Sequence, residues 1–343
     1  MAPPSKRLCS APVRVAVVLN PHSRKNRKGG VRAEPMRKLL GGAGEVFVTR
    51  DAAELDGVLR EVLRPELACL VSVGGDGALH WALNAARPIA AERGLPLPVV
   101  LPTNGGTIDF VARRAGVSGR AETLLPRLVR ALDAGPLEVT ELDSLDVALS
   151  PREGAARQVL GFALAAGGIG QRFLEEYYRS PDPGPLTIVG VIGRGVASLA
   201  AGGLPGRLGA RLGAMGRRLF RPMEAEVRID GERVPASEHG GIHAGAFEVN
   251  LGNVVRVFPE ARAPGALHMQ AGAMRPAEMI AALPSIVSGG SIRSATLRDG
   301  RGALMEVEAR GEEALRPCLD GEMYDGIQRL AVRLGPPVRI AKL

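Results

Sequence analysis

A glycine-rich corner that carries a single carboxylate is the stretch of this 343-residue sequence best suited to chemistry. It reads Gly74-Gly75-Asp76-Gly77 and lies between an apolar run, Cys69 to Val73, and a helix-like segment, Ala78 to Ala86. Glycine lets the backbone approach a bound group closely, and the unpaired N–H groups of a helix N-terminus favour anions such as phosphate. Asp76 would then hold a cation or accept a hydroxyl proton. In an ordinary βα turn it would only cap the helix.

A second group of carboxylates stands near the end of the chain, in Cys318-Leu319-Asp320-Gly321-Glu322. One of its two carboxylates could take a proton from a hydroxyl while the other orients that hydroxyl or a metal ion. The same pattern is also typical of a simple tight turn between strands.

The elements around the first corner predict a parallel α/β sheet, because strand-like runs alternate with helix-like ones. Polar or glycine-rich loops follow three of the strands, after Leu19, Val73 and Leu101. The carboxyl ends of parallel strands meet at one edge of a sheet, where such folds bind ligands. We therefore expect a nucleotide site at this edge, with basic residues at 24–28 available to meet phosphates. The predicted strands are Val13–Leu19, Val46–Thr49, Cys69–Val73 and Pro98–Leu101.

The second half of the chain predicts a mainly antiparallel β-sandwich with a few helices. Short strand-like runs begin at Leu137 to Ser150, and Asp230-Gly231 and Asp299-Gly300 are typical of turns between strands. We expect an α/β nucleotide-binding domain at 12–140 and a β-sandwich lipid-substrate domain at 141–325. Residues 326–343 would return to the first domain as a strand, for which Ile327 to Leu334 is the predicted segment.

Composition restricts the partners of the protein. The net charge is +8, which suits a nucleotide or an acidic lipid surface, whereas the 3% of aromatic residues argues against nucleic acid. The stretch from Arg194 to Arg221 is basic and leucine-rich, and it is either a membrane-surface segment or a solvated helix and loop. Three widely spaced cysteines predict no disulfide framework and indicate a reducing compartment.

Four motifs, taken in order, resemble those of the diacylglycerol kinase catalytic family, which includes bacterial lipid kinases and sphingosine kinases. Asn20-Pro21-His22-Ser23 is similar to the opening Asn-Pro-x-Ser-Gly, and Gly74-Gly75-Asp76-Gly77 to the Gly-Gly-Asp-Gly-Thr corner. Pro102 to Arg113 is similar to the Pro-x-Gly-Thr-x-Asn-Asp-Phe-Ala-Arg segment, and Asp320-Gly321-Glu322 to the late Asp-Gly-Glu.

The resemblance implies a two-domain, ATP-dependent lipid kinase that uses Mg²⁺ and phosphorylates the hydroxyl of a diacylglycerol-like or long-chain-base lipid. It implies Glu322 as the general base with Asp320 beside it, and Asp76 as a metal ligand. It also implies a cytoplasmic enzyme in peripheral contact with an anionic membrane. The implied nucleotide-binding residues are Asn20, Pro21, Ser23, Thr49, Gly74, Gly75, Asp76, Gly77 and Thr107.

Two alternatives stay open at this point. Ala78, Trp81 and Pro264 depart from the family pattern, which favours a protein that binds lipid or nucleotide without transferring phosphate. NAD kinases share the Gly-Gly-Asp-Gly corner, so a kinase for a soluble substrate is the other alternative.

Overall fold

The computed structural model describes residues 13–23, 26, 32–251, 255–292 and 294–343. These residues divide into two compact units. Unit one consists of the described residues up to Glu141 together with Val338–Leu343, and unit two consists of Leu142–Pro337. Most of the basic loop at 24–28 lies outside the described residues.

Unit one is built on a six-stranded sheet with the order β2-β1-β3-β4-β21-β5. The pairs β1–β2, β1–β3, β3–β4 and β4–β21 are parallel, as the alternating pattern predicts. Every residue of β1 and β3 is buried, which is typical of parallel strands covered on both faces. The strands are β1 (Val15–Leu19), β2 (Gly44–Val48), β3 (Cys69–Val73), β4 (Val100–Pro102), β5 (Val139–Leu142) and β21 (Val338–Ala341).

Five helices accompany this sheet among the described residues of unit one. In the second of them Leu55, Leu59 and Val62 are buried, and this spacing of four and three residues gives one apolar stripe. The same helix begins at Asp51, whose side chain accepts the Glu54 N–H at 2.8 Å. The helices are α1 (Ala33–Leu40), α2 (Ala52–Val62), α3 (Asp76–Glu92), α4 (Phe110–Arg114) and α5 (Ala121–Ala134).

The strand that returns to the sheet of unit one is β21, so the prediction that Ile327 to Leu334 returns is wrong. Ile340 of β21 pairs with Val100 of β4. The segment Ile327–Leu334 is instead β20, an inner strand of unit two that pairs with the strands Leu304–Ala309 and Leu145–Pro151. It contains three polar residues, Gln328, Arg329 and Arg333, which suit an antiparallel sheet with one solvated face better than a parallel sheet buried on both faces.

Unit two contains two antiparallel sheets, which confirms the predicted fold class. The first has the order β10-β9-β17-β20-β6-β7 with β11 beside β9, and the second has the order β16-β15-β12-β8-β18-β19. The strands are β6 (Leu145–Pro151), β7 (Arg157–Gly161), β8 (Ala163–Gly168), β9 (Met223–Ile229), β10 (Glu232–Arg233), β11 (Glu238–His239), β12 (Gly241–Gly245), β15 (Leu267–Gly272), β16 (Leu297–Gly302), β17 (Leu304–Ala309), β18 (Cys318–Leu319), β19 (Glu322–Met323) and β20 (Ile327–Leu334), and a separate hairpin pairs β13 (Val249–Leu251) with β14 (Val255–Val257).

The two sheets of unit two pack against each other closely. A Cβ placed on Gly161 of the first sheet would lie 2.5 Å from Leu319 Cγ of the second. A Cβ on Gly302 of the second sheet would lie 2.9 Å from Ile229 Cγ2 of the first. Glycine is therefore required where the facing side chains are this close.

Helices of unit two join the strands and lie beside the sheets. They are α6 (Ile169–Tyr178), α7 (Pro185–Ala201), α8 (Gly206–Leu212), α9 (Ala214–Leu219) and α10 (Pro276–Ser288). A hydrophobic cluster of Leu219, Phe220 and Met279 connects α9 with α10.

Two local predictions for this half differ in outcome. Asp230 and Gly231 have φ values of 53° and 83° and form the turn between β9 and β10, as predicted. Asp299-Gly300 is not a turn, because both residues lie inside β16 and pair with β15. The Asp299 side chain is buried there against His268, which explains a carboxylate in the middle of a strand. The predicted run Leu137 to Ser150 is also divided, between β5 and β6.

Candidate active site

Two glycine corners of unit one touch each other through their backbones. The first, Gly74-Gly75, joins β3 to α3, and the second, Gly105-Gly106, follows β4. A Cβ on Gly75 would lie 2.5 Å from the Gly106 Cα, and the Gly105 N–H donates to the Gly74 carbonyl oxygen at 2.9 Å. Only glycine allows this approach, so the corners form a backbone surface at the N-terminus of a 17-residue helix.

Asp76, the first residue of α3, uses its carboxylate on the backbone of another helix. Oδ2 accepts the Phe110 N–H at 3.1 Å and Oδ1 accepts the Val111 N–H at 3.1 Å. These are N–H groups of the first turn of α4, which have no partner within that helix. Asp76 therefore caps α4, the helix that follows the second glycine corner.

The loop after β1 meets the same edge of the sheet. The Asn20 N–H donates to the Val73 carbonyl oxygen at 3.2 Å, and a Cβ on Gly74 would lie 2.7 Å from Ser23 Oγ. The Thr49 N–H donates to the Leu19 carbonyl oxygen at 3.0 Å, so the end of β2 is also adjacent. Pro21 lies in the same turn, half-buried between Asn20 and Ser23.

The predicted nucleotide-binding residues thus come together within unit one. Gly77 lies in the first turn of α3, and Thr107 directly follows the second glycine corner. Asp109 has φ 52°, and its Oδ1 accepts the Gly106 N–H at 2.8 Å, which fixes the loop around Thr107.

One residue that sequence reasoning did not single out connects the two loops. The buried Asn26 donates its Nδ2 to the carbonyl oxygens of Asn20, at 2.7 Å, and Val73, at 3.1 Å. In the sequence, Asn26 could have been noticed as an amide side chain within a loop that otherwise consists mainly of cations. Its partners are the backbone carbonyl oxygens of Asn20, which follows β1, and Val73, which ends β3, and no local pattern reveals them.

The donors at this edge fit an anionic ligand such as the phosphates of a nucleotide. The first N–H groups of α3 have no intrahelical partner, and the helix dipole favours negative charge beside them. The described residues contain no group of three or more His, Cys, Asp or Glu that could hold a metal ion. Mg²⁺ bound together with phosphates needs only one or two protein carboxylates, so a site with Asp76 alone is compatible with it.

In unit two, the second predicted motif forms a tight hairpin between β18 and β19. Asp320 and Gly321 are the two central residues, with φ values of 54° and 95°, and Leu319 pairs with Glu322. Asp320 Oδ1 accepts the N–H groups of Phe162, at 2.8 Å, and Ala163, at 2.9 Å. The buried Asp320 carboxylate therefore holds the hairpin against the connection from β7 to β8.

Glu322, by contrast, has a half-buried side chain with no hydrogen bond or ion pair to any described residue. Burial raises the pKa of the neighbouring Tyr324 hydroxyl, and the charges of Glu322 and Asp320 raise it further. A Cβ on Gly321 would lie 2.5 Å from Tyr178 Oη, so the hairpin also touches the end of α6. The two carboxylates of the motif differ, because one is committed to the backbone and the other is available for chemistry.

These features define a class of protein with an anion-binding α/β unit followed by an antiparallel β unit that presents a carboxylate hairpin. Residues 14–139 match the sequence model of the diacylglycerol kinase catalytic domain. The match confirms the predicted resemblance of this part of the chain to the diacylglycerol kinase catalytic family, and that family implies a kinase.

Solved structures share the fold over almost the whole chain. A diacylglycerol kinase structure from Bacillus anthracis has a TM-score of 0.57 at 12% identity, covering 96% of this chain and 97% of that one. Another crystal structure from the same organism has a TM-score of 0.61 at 11% identity with the same coverage. Yeast NADH kinase complexed with NADH has a TM-score of 0.50 at 12% identity, covering 97% and 84%. No curated protein sequence matches the chain.

Proposed function

We propose that this protein is an ATP-dependent lipid kinase that transfers the γ-phosphate to the hydroxyl of a diacylglycerol-like or long-chain-base lipid. The observation that carries the proposal is the pair of touching glycine corners at the N-terminus of α3, within a domain of a kinase family. Backbone N–H groups at such a corner suit the phosphates of a nucleotide.

In this proposal unit one binds and orients the nucleotide. The N–H groups of Gly75, Asp76 and Gly77 face the phosphates, and Asn20, Pro21, Ser23, Thr49 and Thr107 surround the rest. Asp76 is the proposed contact for Mg²⁺. When bound, MgATP supplies the phosphoryl group and neutralises the charge that develops on it.

Unit two supplies the base. The Glu322 carboxylate would accept the proton of the lipid hydroxyl as the hydroxyl oxygen bonds to the γ-phosphorus, while the bond from that phosphorus to the bridging oxygen breaks and ADP leaves. Asp320 positions Glu322 by fixing the hairpin between them. Phosphoryl transfer depends mainly on positioning and charge neutralisation, so a phosphate cradle, a cation and one base are a sufficient set.

The lipid substrate distinguishes this proposal from an NAD kinase, whose fold and Gly-Gly-Asp-Gly corner are similar. The Asp-Gly-Glu hairpin and the Asn-Pro-x-Ser opening favour the lipid kinase.

The cytoplasmic location and the contact with an anionic membrane, both predicted above, belong to the same proposal. Cys69 and Cys318 are buried free thiols.

The test measures phosphate transfer from ATP to dispersed lipid alcohols and to NAD, for the wild type, Glu322→Gln and the control Glu306→Gln. Glu306 is an exposed glutamate of β17 in the same unit. Loss of a general base lowers the rate about 10²- to 10⁴-fold. With a lipid acceptor, we therefore expect this decrease in rate for Glu322→Gln and not for Glu306→Gln. At 100 times its dissociation constant, MgATP should still stabilise both variants by about 2.7 kcal/mol.

Three results would contradict the proposal. Phosphorylation of NAD in preference to every lipid alcohol would establish the soluble-substrate alternative. Stabilisation by MgATP without transfer to any acceptor would establish the non-catalytic alternative. A fully active Glu322→Gln variant would remove this carboxylate from the reaction.

A further inference from the structure

Unit two exposes a group of large apolar side chains on α7, α8 and the turn between them. Leu186 is 86% exposed and Leu208 is 61% exposed, and Val189, Leu204 and Leu212 are each about half exposed. Single exposed leucines are common on proteins, but these five exposed side chains lie within 27 consecutive residues, on two successive helices and the turn between them. We call these five side chains the leucine patch.

Helix α7 is apolar on its outer side as well as on its inner side. Its inner stripe, Ile188, Val191 and Gly195, is buried. Its outer stripe is formed by Leu186, Val189, Gly193, Ala197 and Ala200, of which every residue is exposed. A surface helix of a globular protein ordinarily carries polar residues on its outer side, so this outer stripe is suited to a non-aqueous neighbour.

Helix α8 places leucines and arginines on adjacent stripes. Leu208 and Leu212 are four residues apart and so lie on one face, and Arg207 and Arg211 form the neighbouring face at the same spacing. All four side chains are exposed. This arrangement is typical of helices that lie in a membrane interface with their apolar face among the lipids.

The arginines nearest the leucine patch have no acidic partner. Residues 183–223 contain no aspartate or glutamate, and no described carboxylate pairs with Arg194, Arg207 or Arg211. By contrast, Arg218 pairs with Glu176 at 3.2 Å and Arg221 with Glu313 at 3.6 Å. The positive charge beside the patch is therefore available to an external anion.

The helices that carry the patch are held firmly by unit two. A Cβ on Gly216 of α9 would lie 2.5 Å from the Leu199 nitrogen of α7, and Ser198 Oγ accepts the Gly216 N–H at 2.9 Å. Leu219 of α9 fills the space left by Gly195. Helix α7 is thus fixed against α9, and Ser198 Oγ of α7 also donates to the Leu212 carbonyl oxygen at the end of α8.

We propose that the leucine patch and the arginines at 194, 207 and 211 dock this protein onto the surface of an anionic lipid bilayer. The apolar side chains enter the interface and the guanidinium groups contact lipid phosphates. A second copy of the chain is the weaker candidate, because a symmetric contact would bring the same unpaired arginines together. No helix among the described residues is long and apolar enough to span a bilayer, so the contact is on its surface. The reason for such docking, which is access to a lipid substrate, rests on the proposed function.

The experiment measures binding of the full chain to vesicles of phosphatidylcholine alone and of phosphatidylcholine with phosphatidylserine, by co-sedimentation. We expect binding only to the anionic vesicles, weakened by added salt. Each arginine near the surface is worth about a fivefold factor in affinity, so Arg207→Ala with Arg211→Ala should weaken binding about 25-fold. Leu208→Ser with Leu212→Ser should weaken it by at least about tenfold.

Matched controls separate the patch from general charge and hydrophobicity. Arg152→Ala with Arg298→Ala removes the same charge from exposed positions elsewhere in unit two. Leu39→Ser removes an exposed leucine beside two cations in unit one. Both controls should bind vesicles as the wild type does. Equal losses in the controls, or a dimer in sedimentation velocity that the patch variants abolish, would overturn the inference.

A separate assay keeps this inference distinct from the proposed function. Patch variants should phosphorylate a short-chain lipid alcohol in free solution at the wild-type rate. If the wild type does so without binding anionic vesicles, the docking surface is wrong and the kinase stands. If it binds vesicles through the patch without transferring phosphate, the kinase is wrong and the docking surface stands.

Discussion

Asp76 and Asp320 are the same residue type in two glycine-containing corners, yet their carboxylates bind the backbone differently. Asp320 accepts two N–H groups with one oxygen, Oδ1. Asp76 accepts one N–H with each oxygen. An asparagine has only one acceptor oxygen, and its other atom is a donor, so the two sites should respond differently to the same substitution.

We expect Asp320→Asn to lower the free energy of unfolding less than Asp320→Ala does, because Asn keeps an oxygen that can accept both N–H groups and tolerates φ 54°. Asp76→Asn should cost about 1–3 kcal/mol, because it sets an amide donor against a backbone N–H. Urea unfolding of both variants measures the difference.

Asp320→Ala completes this comparison. It leaves the Phe162 and Ala163 N–H groups without their acceptor and places alanine, which tolerates the left-handed region less well than Asp or Asn, at φ 54°, so it should be the most destabilising change of the three. Equal stability of Asp320→Asn and Asp320→Ala would show that the hairpin does not depend on these two bonds.

For single residues, the sequence predicts where a side chain lies better than it predicts what that side chain binds. The four motifs indicated the residues that lie at the two corners, and the structure brings those of unit one together. What the sequence could not show is that Asp76 caps α4 and that Asp320 binds the connection before β8. The first partner lies 34 residues away and the second 158 residues away, and neither is a side chain.

Strands β20 and β21 show where prediction fails at the scale of elements. The two differ in composition, since β20 has three polar residues among eight and β21 has one among four. The polar residues of Ile327–Leu334 were a signal for an antiparallel sheet with one solvated face. Strand β21 follows Gly335-Pro336-Pro337, which separates it from β20. Strand formation was predictable here, but the partner was not.

We expect Ile340→Ala to destabilise the protein by about 2–5 kcal/mol, because Ile340 is fully buried between β4 and β5. Leu334→Ala is the matched control, since Leu334 ends β20 with 44% of its surface exposed, and it should cost well under half as much. Chemical denaturation measures both changes. Similar costs for the two variants would mean that β21 contributes little to the sheet.

For the molecule as a whole, the pH dependence of stability is set in part by a buried polar network in the second sheet of unit two. His243 Nδ1 meets Gln270 Oε1 at 2.8 Å, and Gln270 Nε2 donates to Asp299 Oδ1 at 3.2 Å. His268 Nδ1 accepts the Glu260 N–H, so its Nε2 carries the proton that bonds Asp299 Oδ1 at 2.7 Å. His243 Nε2 is buried and has no hydrogen-bond partner among the described residues.

Burial lowers the pKa of His243, and Gln270 only partly opposes this. Burial also lowers the pKa of His239. Between the lowered pKa and the ordinary value of about 6.5, the unfolded chain binds protons that the folded protein does not. Stability is therefore complete above about pH 6.5 and falls below it, by up to about 1.4 kcal/mol per pH unit for each histidine.

The free energy of unfolding, measured by urea denaturation from pH 8 to pH 5, should show this fall. His243→Gln should reduce the slope by the contribution of one histidine, whereas His22→Gln, which changes an exposed side chain, should leave it unchanged. A slope that is the same in all three proteins would exclude His243 as a source of the pH dependence.

At lower pH, Asp299 adds a second loss of stability. Burial acts to raise its pKa, but the bonds from His268 and Ile292 hold it below the usual range.

The place of β21 in the sheet has a consequence for synthesis on the ribosome. This strand fills the position between β4 and β5, yet it is made after all of unit two. At ordinary translation rates, unit one waits about 10–40 s with the edge of β4 unpaired. Unpaired edges promote association with other chains, so the emerging chain is exposed to aggregation during this interval. Co-translational folding of unit one should accordingly be completed only after the last strand leaves the exit tunnel.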